Sequence, residues 1–236
     1  MKKINSDSFD QQTYDQKLLR YLDAYVTDHK KEKFDQILNQ RTRGLTLVLE
    51  DIFKSHNASA VLRTAECLGL QDVHVVEQHN RFDFNPYVLR GSGKWLTVHH
   101  HKNAEQNIEN CFHALRKQGY QILATAPREA IDYRTVDLSK KTAVVFGAEE
   151  TGISDYVKEH ADQLITIPMA GFTESFNISV SAAIVLEFYN HAIRKQEGWQ
   201  LSSEEKFSLL LEWYQKVVPK IDMHLKYFDQ NQTKFE

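Results

Sequence analysis

The chain has 236 residues, of which 42% are hydrophobic and 26% charged, a balance that excludes a disordered or fibrous protein. That length suits one principal core with terminal additions. A formal net charge of -3 excludes a uniformly basic nucleic-acid coat, although it leaves room for a local basic patch.

The opening MKKINSDSFDQQTYDQ carries lysines but lacks the apolar core of a signal peptide, and no stretch approaches the roughly 18 apolar residues of a membrane span. The expectation is an untargeted soluble protein. Residues 13–40 are polar and charged, with Leu18, Leu19, Leu22, Phe34, Ile37 and Leu38 near helical spacing, so one or two helices that dock on another element are predicted. After the turn-like TRG, LTLVLE (45–50) is a β-rich run. In NASAVLRTAECLG, Ala58, Leu62, Ala65 and Leu68 share one helical face, with Asn57 as N-cap and Gly69 as the C-terminal stop.

The alternation continues with strands at 72–77, 96–101 and 121–126 and a helix at 104–119 between the last two. AVVFGAE (143–149) and QLITIPM (163–169) add two strands, and residues 175–195 form a long helix that is apolar almost all round from Ile178 to Tyr189. Such alternation predicts an α/β fold, a mainly parallel sheet with helices on both faces. Beyond Gly198, Ser202 or Ser203 caps an amphipathic helix that runs to Pro219, and a polar tail with Tyr227, Phe228 and Phe235 follows as a docked or frayed extension. The organisation is a helical extension (1–44), a central α/β domain (45–197) and a second helical extension (198–236). Cys67 and Cys111 are the only cysteines and both fall in helical segments, which reads as a reducing cytoplasm rather than a disulfide framework.

Ligands of open α/β sheets bind outside the carboxyl ends of the strands. Three loops hold such positions here. FGAEETGIS has Gly147 and Gly152 for tight turns, the acidic Glu149 and Glu150, and Ser154 as the cap of a following helix; a plain strand-to-helix turn explains it equally well. MAGFTESFNIS places Ser175, Asn177 and Ser179 at the start of an apolar helix, and a capping role explains one of them but not all. Arg63 lies in an Ala/Leu-rich helix, where it must either reach outward or meet an anion such as phosphate.

In order and spacing, NASAVLRTA, VFGAEETGIS and IPMAGFTESFNISVSAA resemble the three signature motifs of the SPOUT class of RNA 2′-O-ribose methyltransferases, most closely its TrmH tRNA (guanosine-18) branch. The likeness covers about residues 45–195. It implies a C-terminal trefoil knot, a homodimer with its active sites at the interface, and S-adenosyl-L-methionine as the methyl donor. That cofactor has no phosphate, which accounts for a third loop with a single glycine and no phosphate cradle. Carried over by motif, the catalytic residues are Arg63, Asn57, Glu149, Asn177 and Ser175. The cofactor residues are Gly147, Ala148, Glu149, Ile167, Met169, Gly171, Phe172, Ser175, Phe176 and Asn177.

For tRNA, the candidate contacts are Lys30, Lys31, Lys33, Arg41 and Arg43, then Arg90 and Lys94 beside Trp95, then Arg194 and Lys195; a solvated charged face competes for each of them. Methylation of ribosomal RNA is the alternative within the class, and a non-catalytic RNA-binding module the alternative outside it. No metal site is expected: His99, His100 and His101 are consecutive on a strand and alternate faces, so the run cannot converge on one ion.

Overall fold

A computed structural model describes residues 6–83, 85–102 and 105–231, with residues 6–13 described by their backbone alone. Phe235 of the expected tail lies outside the described residues. The chain divides into two compact units.

The larger unit, Arg41–Gln200, contains a seven-stranded sheet. Its strands are β1 (Leu45–Glu50), β2 (Asp72–Val76), β3 (Thr97–His101), β4 (Gln121–Thr125), β5 (Ile131–Asp132), β6 (Thr142–Phe146) and β7 (Gln163–Thr166). They run parallel in the order β3-β2-β1-β6-β4-β7-β5. The helices of this unit are α3 (Ser55–Cys67), the short α4 (Pro86–Leu89), α5 (Asn107–Lys117), α6 (Asp155–His160) and α7 (Ile178–Ile193), numbered after α1 (Ser6–Asp23) and α2 (Asp28–Leu38).

Successive side chains of a strand point to opposite faces, and the core divides accordingly. Leu47, Leu49, Val73, Val144 and Phe146 join α3 and α7 through Ala58, Leu62, Val185 and Leu186. Val48, Val76, Ala143 and Val145 join α5 and α6 through Phe112, Leu115 and Val157. Helices therefore cover both faces, as the β-rich runs without polar alternation require. The end of α3 is set by Gly69 at φ 78°: the Leu70 N–H donates to Ala65 O and the Gly69 N–H to Glu66 O, both at 3.0 Å, a paired closure that needs a left-handed residue.

The start of α3 differs from the expectation. Lys54 holds the N-cap position without a side-chain cap bond, and Asn57 is the third residue of the helix, within its first turn. The long helix also starts later than predicted, at Ile178, so Ser175 and Phe176 belong to the extended approach rather than to the helix.

The second unit is made by α1 and α2 together with α8 (Ser203–Val217) and α9 (Ile221–Gln230). Phe34 meets the Trp213 ring edge-on at a centroid distance of 5.4 Å, inside the range of about 4.5–7 Å usual for such pairs, and Tyr214 Oη donates to Asp23 at 3.0 Å. Tyr14 Oη donates to Asp229 at 2.6 Å, which docks the tail helix. Ser202 forms a complete capping box: its hydroxyl accepts from Glu205 N at 3.2 Å, and its own N–H donates to the Glu205 carboxylate at 2.8 Å. Ser202→Ala removes one half of that exchange, so urea unfolding of the variant should show a loss of about 1 kcal/mol, seen as a lower midpoint with an unchanged slope against denaturant.

Candidate active site

Because the strands are parallel, the loops after β1, β4, β6 and β7 leave the sheet along one edge. The first of these loops leads into α3, whose first turn presents Asn57. Its side chain is 8% exposed. The amide Nδ2 donates to Glu149 Oε1 at 2.6 Å, and Oδ1 accepts from Asn177 Nδ2 at 3.3 Å. Three loops far apart in sequence are thereby joined by one chain of hydrogen bonds. Asn177 closes it at the other end as the N-cap of α7, its Oδ1 accepting from Ser179 N at 2.9 Å and from Ser179 Oγ at 2.7 Å.

The shift of Asn57 from cap to helix interior is what frees its amide for this exchange. An amide fits the middle position because it both donates and accepts. It donates a hydrogen bond to the carboxylate and accepts one from the other amide, which fixes which end of Asn57 points where.

Glu149 is held by a tightly folded loop. Gly152, at φ 71°, donates from its N–H to Ala148 O at 2.8 Å, and the two residues form an isolated bridge. Gly147 is packed so closely against the returning chain that a Cβ there would lie 2.3 Å from Gly152 C and O. The far end of the loop is tied to β1, where Ser154 N donates to the Glu50 carboxylate at 3.0 Å while Ser154 Oγ caps α6 by accepting from Val157 N. Glu50 is a residue that sequence reasoning missed. It is 5% exposed, and its burial raises the carboxyl pKa against the opposing effect of the Ser154 hydrogen bond.

A cleft of about 310 Å³ opens between the loop after β4 and the loop after β7. Ile167, Met169, Gly171 and Phe172 of the third motif line it, and so do Arg128 and Glu174. Those two form an ion pair at 2.7 Å between the loops, with both side chains largely exposed. Phe172 is fully exposed and Phe176 is 43% exposed, large apolar surface of the sort that marks a binding site. Ser175 is exposed on the same extended segment. Gly147, Ala148 and Glu149 lie in the β6 loop and do not line this cleft.

Arg63 is not part of the Asn57 chain. It lies six residues further along α3, which is about 9 Å of rise and about 240° of turn. Its guanidinium is exposed, with Nη1 3.5 Å from Val88 O, the outer limit of a hydrogen bond.

The candidate RNA contacts separate into two groups. Lys30, Lys33, Arg90, Lys94 and Lys195 are exposed. Lys31 is partly covered and pairs with Asp23 at 2.5 Å. Three arginines do structural work instead. Arg41 is 1% exposed, donating to Leu70 O and to Glu66, both at 2.8 Å. Arg43 pairs with Asp72 at 2.7 Å. Arg194 donates to Leu68 O at 2.9 Å and packs over the Trp199 ring at 4.4 Å. A charge in a sequence does not disclose its partner, and these partners come from other segments. Arg41→Ala should cost about 2 kcal/mol in denaturant unfolding, because it strands Glu66 and a carbonyl, and should leave RNA affinity within about twofold.

Residues 44–187 match the family described as SpoU rRNA Methylase, and all three motifs lie within the match. The chain belongs to the SpoU methylase family. The RNA methyltransferase expected from the three motifs is thereby borne out. This SpoU methylase is 43% identical over 204 residues to the tRNA (guanosine(18)-2'-O)-methyltransferase of Borreliella burgdorferi, covering 86% of this chain and 92% of that one. Its fold matches the TrmH/SpoU tRNA modifying enzyme of A. aeolicus with a TM-score of 0.72 and 28% identity, over 82% of this chain and 98% of the other. It also shares its fold with an AdoMet-bound rRNA methyltransferase from Sinorhizobium meliloti, at a TM-score of 0.57 and 23% identity, over 65% and 58% of the two chains.

Proposed function

We propose that this SpoU methylase transfers the methyl group of S-adenosyl-L-methionine to the ribose 2′-hydroxyl of guanosine 18 in tRNA. The observation that carries the reading is the hydrogen-bonded chain Asn177–Asn57–Glu149, which joins the three motifs at the carboxyl edge of the sheet. The Borreliella relative, alike over most of both chains, supports the substrate.

The cleft suits the cofactor: its volume falls in the range of small-molecule sites, and Ile167, Met169 and Phe172 offer apolar walls for an adenine while the backbone around Gly171 offers hydrogen bonds. When bound, the cofactor supplies an electrophilic methyl on a sulfonium. The protein has to align the acceptor with it and to deal with the hydroxyl proton. Asn57, locked on both sides, holds a fixed orientation at the ribose. Glu149 anchors that amide, and Asn177 and Ser175 shape the cofactor's methionine end. Arg63 binds the phosphate next to the acceptor and stabilises charge developing on the 2′-oxygen; a guanidinium is too basic to accept the proton, which leaves to phosphate or water.

The assembly is a homodimer. Ile178, Ala182, Val185, Leu186 and Tyr189 of α7 are buried within the chain, while Val180 and Phe188 remain 43% and 36% exposed on the same helix; a second copy supplies the cover that an apolar helix needs. The C-terminal part of the domain 45–197 is threaded as a trefoil knot, a reading supported by β7 crossing to the far side of β4 and α7 then returning to pack on α3. The protein works in the cytoplasm on tRNA, held by Lys30, Lys31, Lys33, Arg90, Lys94 and Lys195; no helix among the described residues is long and apolar enough to cross a membrane.

The test is transfer of labelled methyl from S-adenosyl-L-methionine to unmodified tRNA and to ribosomal RNA side by side. Label in tRNA alone supports the reading. Label in ribosomal RNA alone overturns the substrate and keeps the chemistry, and label in neither, with cofactor bound, points to a non-catalytic RNA binder.

A further inference from the structure

The histidine run of β3 does alternate faces, but neighbouring elements complete what the run itself cannot. In the register of β2 and β3, His74 pairs with His99 and Val76 with His101, so His74, His99 and His101 share one face of the sheet. The His74 ring stacks between the other two, with centroids at 4.6 Å and 5.4 Å. Helix α5 crosses that face and brings in Cys111, which is fully buried among Val48, Val76, Ile108 and Phe112.

We propose that His74, His101 and Cys111 form a binding site for one zinc ion, which fastens the edge strand β3 and its neighbour β2 to α5. The donor atoms of the three residues lie within 4.8 Å of one another. His74 Nδ1 and His101 Nε2 are 3.1 Å apart, close to the separation of about 3.3 Å that two imidazole nitrogens have on one tetrahedral ion with bonds of about 2.0–2.1 Å. An imidazole nitrogen and a thiolate sulfur on one such ion are about 3.6 Å apart, so the sulfur has to approach by no more than about 1.2 Å, within the reach of a χ1 adjustment. Two imidazoles and a thiolate are the ligand chemistry of zinc rather than of magnesium or calcium.

The surroundings fit a structural site. His74 is 3% exposed and Cys111 is fully buried, so an apolar shell surrounds two of the ligands, while half-buried His101 faces the side from which an ion and a fourth, water ligand enter. His99, stacked on His74, is itself fixed by Asp72 at 2.9 Å, an outer carboxylate that holds the ring stack in place. On binding, the Cys111 thiol loses its proton to solvent, and whichever imidazole donates in the His74–His101 hydrogen bond changes tautomer, its N–H moving to the other ring nitrogen, so one proton is released in all. Both nitrogens and the sulfur then donate lone pairs, with no change in oxidation state. The strand being held is one of the two edge strands of the sheet, paired on one side only.

The test uses the full-length protein, stripped of metal and titrated with Co(II) as a spectroscopic substitute for zinc. One equivalent should produce a thiolate-to-cobalt charge-transfer band in the near ultraviolet and the visible bands of a four-coordinate ion, and Zn(II) should displace both. Cys111→Ser should abolish the charge-transfer band, and His101→Gln should weaken binding by more than about 100-fold, beyond the 10- to 100-fold typical of an outer-shell loss. Absence of a thiolate band in the wild-type protein would overturn the site. So would binding that neither substitution changes, which would assign it to exposed histidines such as His79. Should Cys111→Ser fail to fold, His101→Gln decides alone, because its side chain is half-buried and the substitution leaves the packed face intact.

Discussion

Replacing Asn57 by alanine is expected to slow methyl transfer by about 100- to 1000-fold, or roughly 3–4 kcal/mol, the range found when one preorganised hydrogen-bonding group is removed from an active site. Asn57 joins Glu149 to Asn177 in this chain of bonds, so its loss removes one bond from each partner at once. Stability should suffer much less, by about 1 kcal/mol, because Glu149 is only partly buried and water can replace the lost donor. Single-turnover transfer together with calorimetric binding of S-adenosyl-L-methionine separates these effects: the rate falls and the cofactor affinity stays within a few-fold. Asn57→Asp is the sharper companion. It keeps the shape but sets a second carboxylate at the 2.6 Å contact with Glu149, where two negative charges repel, so it should be no more active than the alanine variant.

Gly147→Ala should be more damaging still to the protein as a whole. The added methyl would lie 2.3 Å from the carbonyl carbon and oxygen of Gly152 and 2.4 Å from Ile153 N. Those are backbone atoms, which cannot rotate aside as a side chain can. The loop must open, which breaks the Gly152-to-Ala148 hydrogen bond and pulls on the Ser154 contact with Glu50. Overpacking a core by side chains costs about 1–3 kcal/mol; here the cost should reach about 3 kcal/mol or more, seen as a lower midpoint in denaturant, with methyl transfer lost because Glu149 leaves its place. Gly171→Ala is the control. A Cβ there meets nothing within 4 Å and the residue does not need the left-handed region, so stability should stay within about 0.5 kcal/mol.

The contrast between these two glycines shows where sequence reading reaches its limit. Both stand in motif loops, and only the fold reveals that one is pressed against returning backbone while the other is open. The parallel sheet itself was legible, because runs such as LTLVLE and AVVF are apolar on successive residues, as strands covered on both faces must be. The membership of Asn57, Glu149 and Asn177 in one site was also legible, from motif order. The role of Asn57 within it was not: asparagine ahead of an Ala-rich run is a strong N-cap signal, yet Ser55 and His56 extend the helix backwards and Lys54 takes the cap position. The partners of Arg41, Arg43 and Arg194 were not legible for a related reason, since Glu66, Asp72 and the Leu68 carbonyl reach them only through tertiary packing. The Arg128 to Glu174 pair beside the cleft spans two loops 46 residues apart, and no local pattern announces it.

The most direct measurement is methyl transfer to two tRNA transcripts that differ at one atom, one with guanosine at position 18 and one with 2′-deoxyguanosine there. The account predicts one methyl per tRNA on the first transcript, none on the second, and a rate on the first that falls at least about 100-fold in Asn57→Ala. Equal labelling of both transcripts, or an Asn57→Ala enzyme as fast as the wild type, would contradict it.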